Sequence, residues 1–253
     1  MPIHPKAQAF DAAAPDYVRG RPDYPSELLD WLAGPMGILA DTRVVDLAAG
    51  TGKFTRLLAK TGARVIAVEP VAGMRRALHA ALPQVEAVEG TATSIPLGDE
   101  IAAAVLSAQA FHWFANEAAL AEIARVLEPG GRLGLVWNVR DDRVRWVARI
   151  GSILDRLEAD TPRHATGEWR RLFPGRHFSA LHETVFAHGH TGDPEDVIIA
   201  RVKSISFIAA LPPGELARVE AEVRAVIDSE PDLRGARVVT FPYVTRAYWA
   251  ERL

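Results

Sequence analysis

The stretch "RVVDLAAGTGKFTRLL", residues 43–58, decides the reading of this chain. "RVVDLA" reads as a strand, the two glycines Gly50 and Gly52 as a turn, and "KFTRLLAKTG" as a helix closed by Gly62. Strand, glycine turn and helix start is the unit on which parallel sheets hold nucleotides. A phosphate loop needs G-x-x-x-x-G-K-[ST], but Gly50 and Gly52 stand two apart and Thr55 does not follow Lys53 directly. A dinucleotide fingerprint G-x-G-x-x-G would place its third glycine at Thr55, a poor substitute for close helix–strand packing.

A third reading turns on Asp46, at the strand end just before the glycines. A carboxylate there would repel a pyrophosphate and suits a cationic amino-acid end, such as the ammonium of S-adenosylmethionine. Glycines at 50 and 52 let backbone approach a ligand with no Cβ in the way. The plain alternative is a tight βα turn without ligand. Glu69 ends the next strand, "RVIAVEP", near the spacing at which an acid of a βαβ unit accepts both ribose hydroxyls. That supports a nucleoside ligand of either kind, and Asp46 favours S-adenosylmethionine.

Outward from this unit the rhythm persists. "AGMRRALHAAL" reads as a helix, "VEAVEG" and "IAAAVLSAQ" as strands, "NEAALAEIARVL" as a helix capped by Asn116, "EPGG" as a turn and "RLGLVWN" as a strand. "SELLDWLA" before them is a short helix. After residue 143 come a long helix "RVRWVARIGSILDRL", a loop over 160–176, a strand "HETVFAHGH", two helices over "DPEDVIIARVKSISFIAALPP" and "GELARVEAEVRAVID", and a final strand "ARVVTFPYVTRAYWAERL". Short apolar strands alternating with helices predict an α/β fold. The expectation is a doubly wound, Rossmann-like, seven-stranded, mostly parallel sheet with helices on both faces, an N-terminal arm and a helical insertion between the last two strands. The expected organisation is an arm and helix over residues 1–35, a cofactor-binding core over 36–142, and sheet completion with a substrate lid over 143–253.

Bulk properties narrow the class. With 253 residues, 49% hydrophobic and 24% charged, the chain has the make-up of one large globular domain. A net charge of −3, with arginines interleaved among acids, gives no reason to expect nucleic acid or an anionic membrane as partner. The absence of cysteine excludes disulfides, thiolate metal sites and a cysteine nucleophile. No membrane span or secretory leader is expected, and the location read from this is cytoplasmic.

Four stretches together resemble a known family: "VVDLAAGTGKFTRLL", "VIAVEPVAGMRRAL", "VEGTATSIPLGDE" and "VLSAQAFHWF…EIARVLEPGGRLGLVWN", in that order over residues 43–138. They are similar to the class I S-adenosylmethionine-dependent methyltransferases of the small-molecule, type 11 kind. "APDYVRGRPDYP" near the N-terminus looks like the lead-in of the trans-aconitate methyltransferase-like branch. The resemblance implies that Asp46, Ala48, Gly50, Thr51 and Gly52 line the methionine end. It implies that Glu69 holds the ribose, with Pro70 and Val71 beside the adenine and Thr91 and Ala92 at its edge. Gln109 and Ala110 would face the sulfonium and substrate, and Tyr17 and Arg21 would close the arm over the cofactor carboxylate. Two residues depart from the family pattern. Ala48 stands where glycine is frequent, and Thr91 stands where an acid is frequent, leaving adenine to a hydroxyl, to Ser94 or to backbone.

Methyl transfer is an in-line displacement, so a protein must align the acceptor and exclude water. "AFHWF", residues 110–114, places three aromatics and His112 directly after the fourth strand, at the carboxyl rim where open parallel sheets bind ligands. His112 is the catalytic candidate, as a base for a hydroxyl or amine, or as a residue that orients the turn. Trp113, Trp137 and Asn138 are substrate candidates on the same rim, although packing is the favoured reading of Trp137. Arg140 to Arg143 read as a solvated charge cluster. His188 and His190 share one strand face, but no third ligand stands near, and no metal is expected. Trp169, Arg170, Arg171 and Phe207 are lid candidates. The expectation is thus an enzyme that methylates a small molecule at an oxygen, nitrogen or carboxylate, acting as monomer or homodimer. A non-catalytic S-adenosylmethionine-binding protein and an NAD-type oxidoreductase are the alternatives.

Overall fold

The computed structural model describes residues 20–157 and 164–253, and Tyr17 lies outside them. In chain order the elements are α1 (Leu28–Ala33), β1 (Arg43–Leu47), α2 (Lys53–Ala59), β2 (Arg64–Val68), α3 (Ala72–Ala81), β3 (Glu86–Val88), β4 (Ala102–Ala108), α4 (Glu117–Val126), β5 (Leu127–Arg140), α5 (Arg145–Asp155), β6 (His182–Gly192), α6 (Pro213–Ser229) and β7 (Val239–Glu251). The strands form one seven-stranded sheet in the order β3-β2-β1-β4-β5-β7-β6. β1 to β5 are parallel, and β7 runs antiparallel to both of its neighbours. This is the expected Rossmann-like architecture.

The reason is visible strand by strand. β1 is buried at four consecutive positions, as a strand covered on both faces must be. Val45, Leu47, Val105, Leu135, Trp137 and Tyr248 point to one face, where they pack against Leu120 and Ile123 of α4 and against Trp169 and Phe178. Val44, Ala104, Leu106 and Val136 point to the other, against Leu28 and Trp31 of α1, Phe54 and Leu58 of α2 and Leu78 of α3. A third apolar cluster joins α5, α6 and the chain between β6 and β7 to Phe241 and Tyr243 on β7. Tyr243 lies opposite Arg140, the last residue of β5, so this insertion caps the carboxyl ends of the central strands.

Two elements differ from the sequence expectation. "EPGG" does not separate a helix from a strand. Leu127 already pairs with Ala102 and Arg132 with Ala104, so the residues between buckle out as a bulge within β5, with Gly130 at φ 72°. The helix expected over 193–213 is broken into a π-helical stretch Glu195–Ala200 and short turns Arg201–Lys203 and Ser206–Ala209. At the break the Ser204 hydroxyl donates to the Arg201 carbonyl at 2.7 Å. Gly20 sits directly on this segment, and a Cβ there would lie 2.4 Å from backbone atoms of Ala200 and Arg201. Only glycine lets the arm approach so closely.

Candidate active site

The site begins where β1 ends. Asp46 is 1% exposed, and its Oδ2 accepts a hydrogen bond from the Thr55 hydroxyl of α2 at 2.6 Å. Its Oδ1 is buried without a partner. Burial raises its pKa to about 7, against the lowering effect of Thr55 and with a further push from Glu69. An unsatisfied buried carboxylate oxygen costs about 1–3 kcal/mol or more, which makes it a candidate ligand group rather than a packing choice.

Glu69, after β2, is 4% exposed and clamps the glycine turn. Its Oε2 accepts from the Gly50 N–H at 2.9 Å and its Oε1 from the Val71 N–H at 2.8 Å. Desolvation raises its pKa while these two bonds and Arg75 oppose the rise. A carboxylate has about four acceptor sites, so two remain beyond those taken by backbone. Turn and acid thus form one preorganised unit.

The turn residues divide their tasks differently from the sequence expectation. Gly50, at φ 58°, lines the cavity described below, with only Met74 near the place of a Cβ. Gly52, at φ 84°, is needed for packing, because a Cβ there would meet Leu78 Cγ of α3 at 2.9 Å. Gly52 is therefore a fold residue, where ligand approach was expected. Ala48 also takes a left-handed conformation, φ 60°, in which a non-glycine residue is strained. Gln109, just past β4, does the same at φ 61°. Strained backbone thus brackets the ends of the two adjacent strands β1 and β4.

Between these strand ends lies a solvent-open cavity, about 550 Å³ with its open mouth included. Asp46, Ala48, Gly50, Thr51, Gln109, Asn138 and Tyr243 line it from the sheet side, Arg21 and Tyr24 from the arm, and Arg201 from the insertion. The arm is strapped down from several directions. Lys53 Nζ donates to the Arg21 carbonyl at 2.6 Å, Asn138 Nδ2 donates to the Asp23 carbonyl at 3.0 Å, and His188 Nε2 bonds the same carbonyl at 2.7 Å. Arg21 donates from Nε and Nη2 to the hydroxyl and carbonyl of Ser204. Lys53, Tyr24, Arg201 and Tyr243 escaped the sequence reading. Lys53 stood in view inside the glycine motif, whereas Arg201 and Tyr243 belong to no local pattern.

Pro70 is half-buried beside the Glu69 clamp. Thr91 and Ser94 exchange two backbone hydrogen bonds in a tight turn, and Ala92 is buried in the core. None of the three lines the cavity.

His112 occupies a single 3₁₀ turn, Phe111–Trp113, after β4. The Trp137 indole N–H donates to its Nδ1 at 3.2 Å. An indole can only donate, so Nδ1 must carry the lone pair and Nε2 the proton. Burial, then the charges of His164 and Arg21, hold the pKa down to about 3. The neutral ring has its one basic nitrogen engaged by the Trp137 indole, an arrangement that fits the turn-orienting role. Trp137 packs in the core. It is 2% exposed and packs on the face opposite Asn138, with Trp169 at 4.7 Å and Tyr248 at 5.8 Å between ring centroids. Its task is to support His112. Trp113 lies beside His112, 5.3 Å between rings, and outside the cavity lining. Among the described residues no group of three or more His, Cys, Asp or Glu could hold a metal ion. Nor is any described helix long and apolar enough to cross a membrane.

Comparison with known proteins fixes the class. A methyltransferase domain model matches residues 45–135, the stretch from β1 into β5 that carries the acids and the glycine turn. An uncharacterized methyltransferase-like protein of Schizosaccharomyces pombe is 38% identical over 246 residues, 97% of this chain and 96% of that one. An uncharacterized methyltransferase of Mycobacterium tuberculosis is 40% identical over 237 residues, 94% of this chain and 93% of that one. A crystal structure from Anabaena variabilis, named as a putative methyltransferase from an antibiotic biosynthesis pathway, shares the fold at a TM-score of 0.62 and 20% identity, over 90% of this chain and 98% of that one. The chain belongs to the S-adenosylmethionine-dependent methyltransferases of the type 11 family. It is a methyltransferase.

Proposed function

We propose that this chain binds S-adenosylmethionine between the ends of β1 and β4 and transfers its methyl group to a small-molecule acceptor. The observation that carries the reading is the unpartnered, buried Oδ1 of Asp46 in the cavity wall, beside a Glu69 carboxylate already locked to the glycine turn. These residues fit the cofactor: Asp46 offers an acceptor to a cationic amino-acid end, and Gly50 presents backbone with no Cβ. Glu69 keeps acceptor sites for ribose hydroxyls. When bound, the cofactor supplies a methyl group on a sulfonium, which is electrophilic enough to need alignment more than acid–base help.

The protein residues then bind, orient and exclude water. The arm, held by Lys53, Asn138 and His188, closes one wall of the cavity. Gln109 is fixed in its strained backbone by its N–H on the Val136 carbonyl, at 2.8 Å, and faces the space where donor and acceptor meet. His112 does not line the cavity and its Nδ1 is engaged by Trp137, so the reading asks no proton transfer of it, and an acceptor already ionised or intrinsically nucleophilic is the better match. The lead-in "APDYVRGRPDYP" is the support for placing the chain in the trans-aconitate methyltransferase-like branch.

The test is thermal unfolding with added S-adenosylhomocysteine or NAD, where stabilisation should follow RT ln(1 + [L]/Kd). S-adenosylhomocysteine should stabilise the wild type and NAD should not. Glu69→Ala should abolish the ligand effect and lower intrinsic stability by about 1–3 kcal/mol, because two backbone donors lose their acceptor. Stabilisation by NAD alone would refute the proposal. So would unchanged S-adenosylhomocysteine affinity in a folded Glu69→Ala protein.

A further inference from the structure

Two side chains of the cavity lining each hold a buried polar atom with no partner among the described residues: Asp46 Oδ1 and Arg201 Nη1. One is an acceptor on a carboxylate, the other a donor on a guanidinium. A simple cation would satisfy the first and leave the second, and a simple anion the reverse. A group with an ammonium and a carboxylate on one carbon satisfies both. The amino-acid end of S-adenosylmethionine is such a group.

Arg201 is fixed by contacts of its own. Its Nε donates to the Tyr243 hydroxyl at 3.1 Å. Tyr243 is 1% exposed and stacks on Phe241, with 4.9 Å between ring centroids. A guanidinium held through one nitrogen, with a donor open on another, suits charge-assisted bonds to a carboxylate and has little freedom left to lose. The backbone leading to it is irregular as well. Arg201 follows directly on the π-helical stretch Glu195–Ala200, a conformation that recurs at functional sites.

The arm arginine that the family resemblance pairs with this carboxylate, Arg21, is engaged elsewhere. Its Nε and Nη2 donate to the hydroxyl and the carbonyl of Ser204, at 3.1 and 2.9 Å. The Ser204 hydroxyl donates in turn to the Arg201 carbonyl at 2.7 Å, and Gly20 lies against the backbone of Ala200 and Arg201. Arg21 thus ties the arm to the turn that carries Arg201. Lys53, the third cation of the lining, donates to the Arg21 carbonyl and to Asp23.

We propose that Arg201 Nη1 receives the carboxylate of the cofactor's amino-acid end while Asp46 Oδ1 receives its ammonium, and that Arg21 is a positioning residue that acts through Ser204 on Arg201. This rests on the cofactor reading of the same cavity. The insertion between β6 and β7 then supplies a residue to a cofactor site whose acids stand at the ends of β1 and β2.

The experiment measures equilibrium binding of three probes to the full chain by calorimetry. They are S-adenosylhomocysteine, its analogue lacking only the carboxylate, and methylthioadenosine, which lacks the whole amino-acid end. The ratio of the first two affinities is the gain from the carboxylate. It should be about tenfold or more in the wild type, fall to about one in Arg201→Gln and recover in part in Arg201→Lys. Methylthioadenosine should bind wild type and both variants within about twofold. Arg21→Gln should lower the carboxylate gain in the wild-type background and lower it no further in the Arg201→Gln background, because a residue that acts through Arg201 has nothing left to act on. An undiminished gain in Arg201→Gln would overturn the assignment. So would a gain lost in Arg21→Gln but kept in Arg201→Gln, which would give the carboxylate to Arg21. Independent, multiplying losses in the double variant would overturn the positioning role. Equal weakening of all three probes in a folded Arg201→Gln would leave Arg201 only a wall of the cavity and overturn the assignment. A wild type that binds methylthioadenosine without any carboxylate gain would refute this assignment alone. One that binds none of the probes would refute the cofactor reading and the assignment with it. Circular dichroism and unfolding midpoints of the variants separate loss of binding from loss of fold.

Discussion

Replacing Asp46 by asparagine should stabilise the ligand-free protein at pH 8 while destroying its affinity for S-adenosylhomocysteine. Asp46 ionises near pH 7 in the folded chain, against 3.8 for the unperturbed group. Between those values the folded state holds a proton that the unfolded state has released. Stability therefore falls as pH rises through this window, and the full cost is present above pH 7. The shift corresponds to about 4 kcal/mol, of which about 2.6 kcal/mol develops between pH 5 and pH 8. Asparagine removes this slope. It can still accept from Thr55, but its amide donors replace the orphan oxygen and cost about 1–3 kcal/mol. The variant should then be about 1–3 kcal/mol more stable than wild type at pH 8 and lose that advantage by pH 5. Urea unfolding at the two pH values, without ligand, reads this directly. Binding should move the opposite way. A cationic ligand end favours ionised Asp46, so wild-type affinity for S-adenosylhomocysteine should tighten from pH 6 to pH 8, and the variant should lack this rise. Parallel pH dependence of stability in the two proteins would refute the buried, unpaired carboxylate. Undiminished ligand affinity in Asp46→Asn would refute its role.

Two further outcomes are expected. Ala48→Gly relieves a left-handed strain of about 1–2 kcal/mol against a flexibility cost of about 0.5–1 kcal/mol. The unfolding midpoint should rise by about 1–4 °C, and a fall would show that Ala48 is not strained. In nitrogen NMR, His112 of the wild type should be neutral and protonated at Nε2 from pH 5 to pH 8, and Trp137→Phe should mix the two tautomers. A proton on Nδ1 in the wild type would refute this arrangement.

Much of the fold is written locally. Four consecutive buried positions in β1, the helical run after Gly52 and the cap at Asn116, whose side chain accepts from the Ala119 N–H at 3.0 Å, are short-range signals that neighbouring residues set without outside help. Asp46 and Glu69 were legible for the same reason, since a strand end and a glycine turn fix where an acid must lie. The sequence by itself therefore determined the sheet, the winding and the two acids at the ends of β1 and β2. It did not determine what each turn residue is for. Gly52 answers to Leu78 on α3, and the backbone at Ala200 and Arg201 answers to the arm at Gly20. The tautomer of His112 depends on Trp137, 25 residues away on the next strand. Arg201 meets Tyr243 only because β7 runs antiparallel to β5 and starts at the carboxyl rim. Local pattern reports backbone conformation and burial. Which distant donor meets which acceptor, and which is left without one, is decided when the sheet order brings separate segments together.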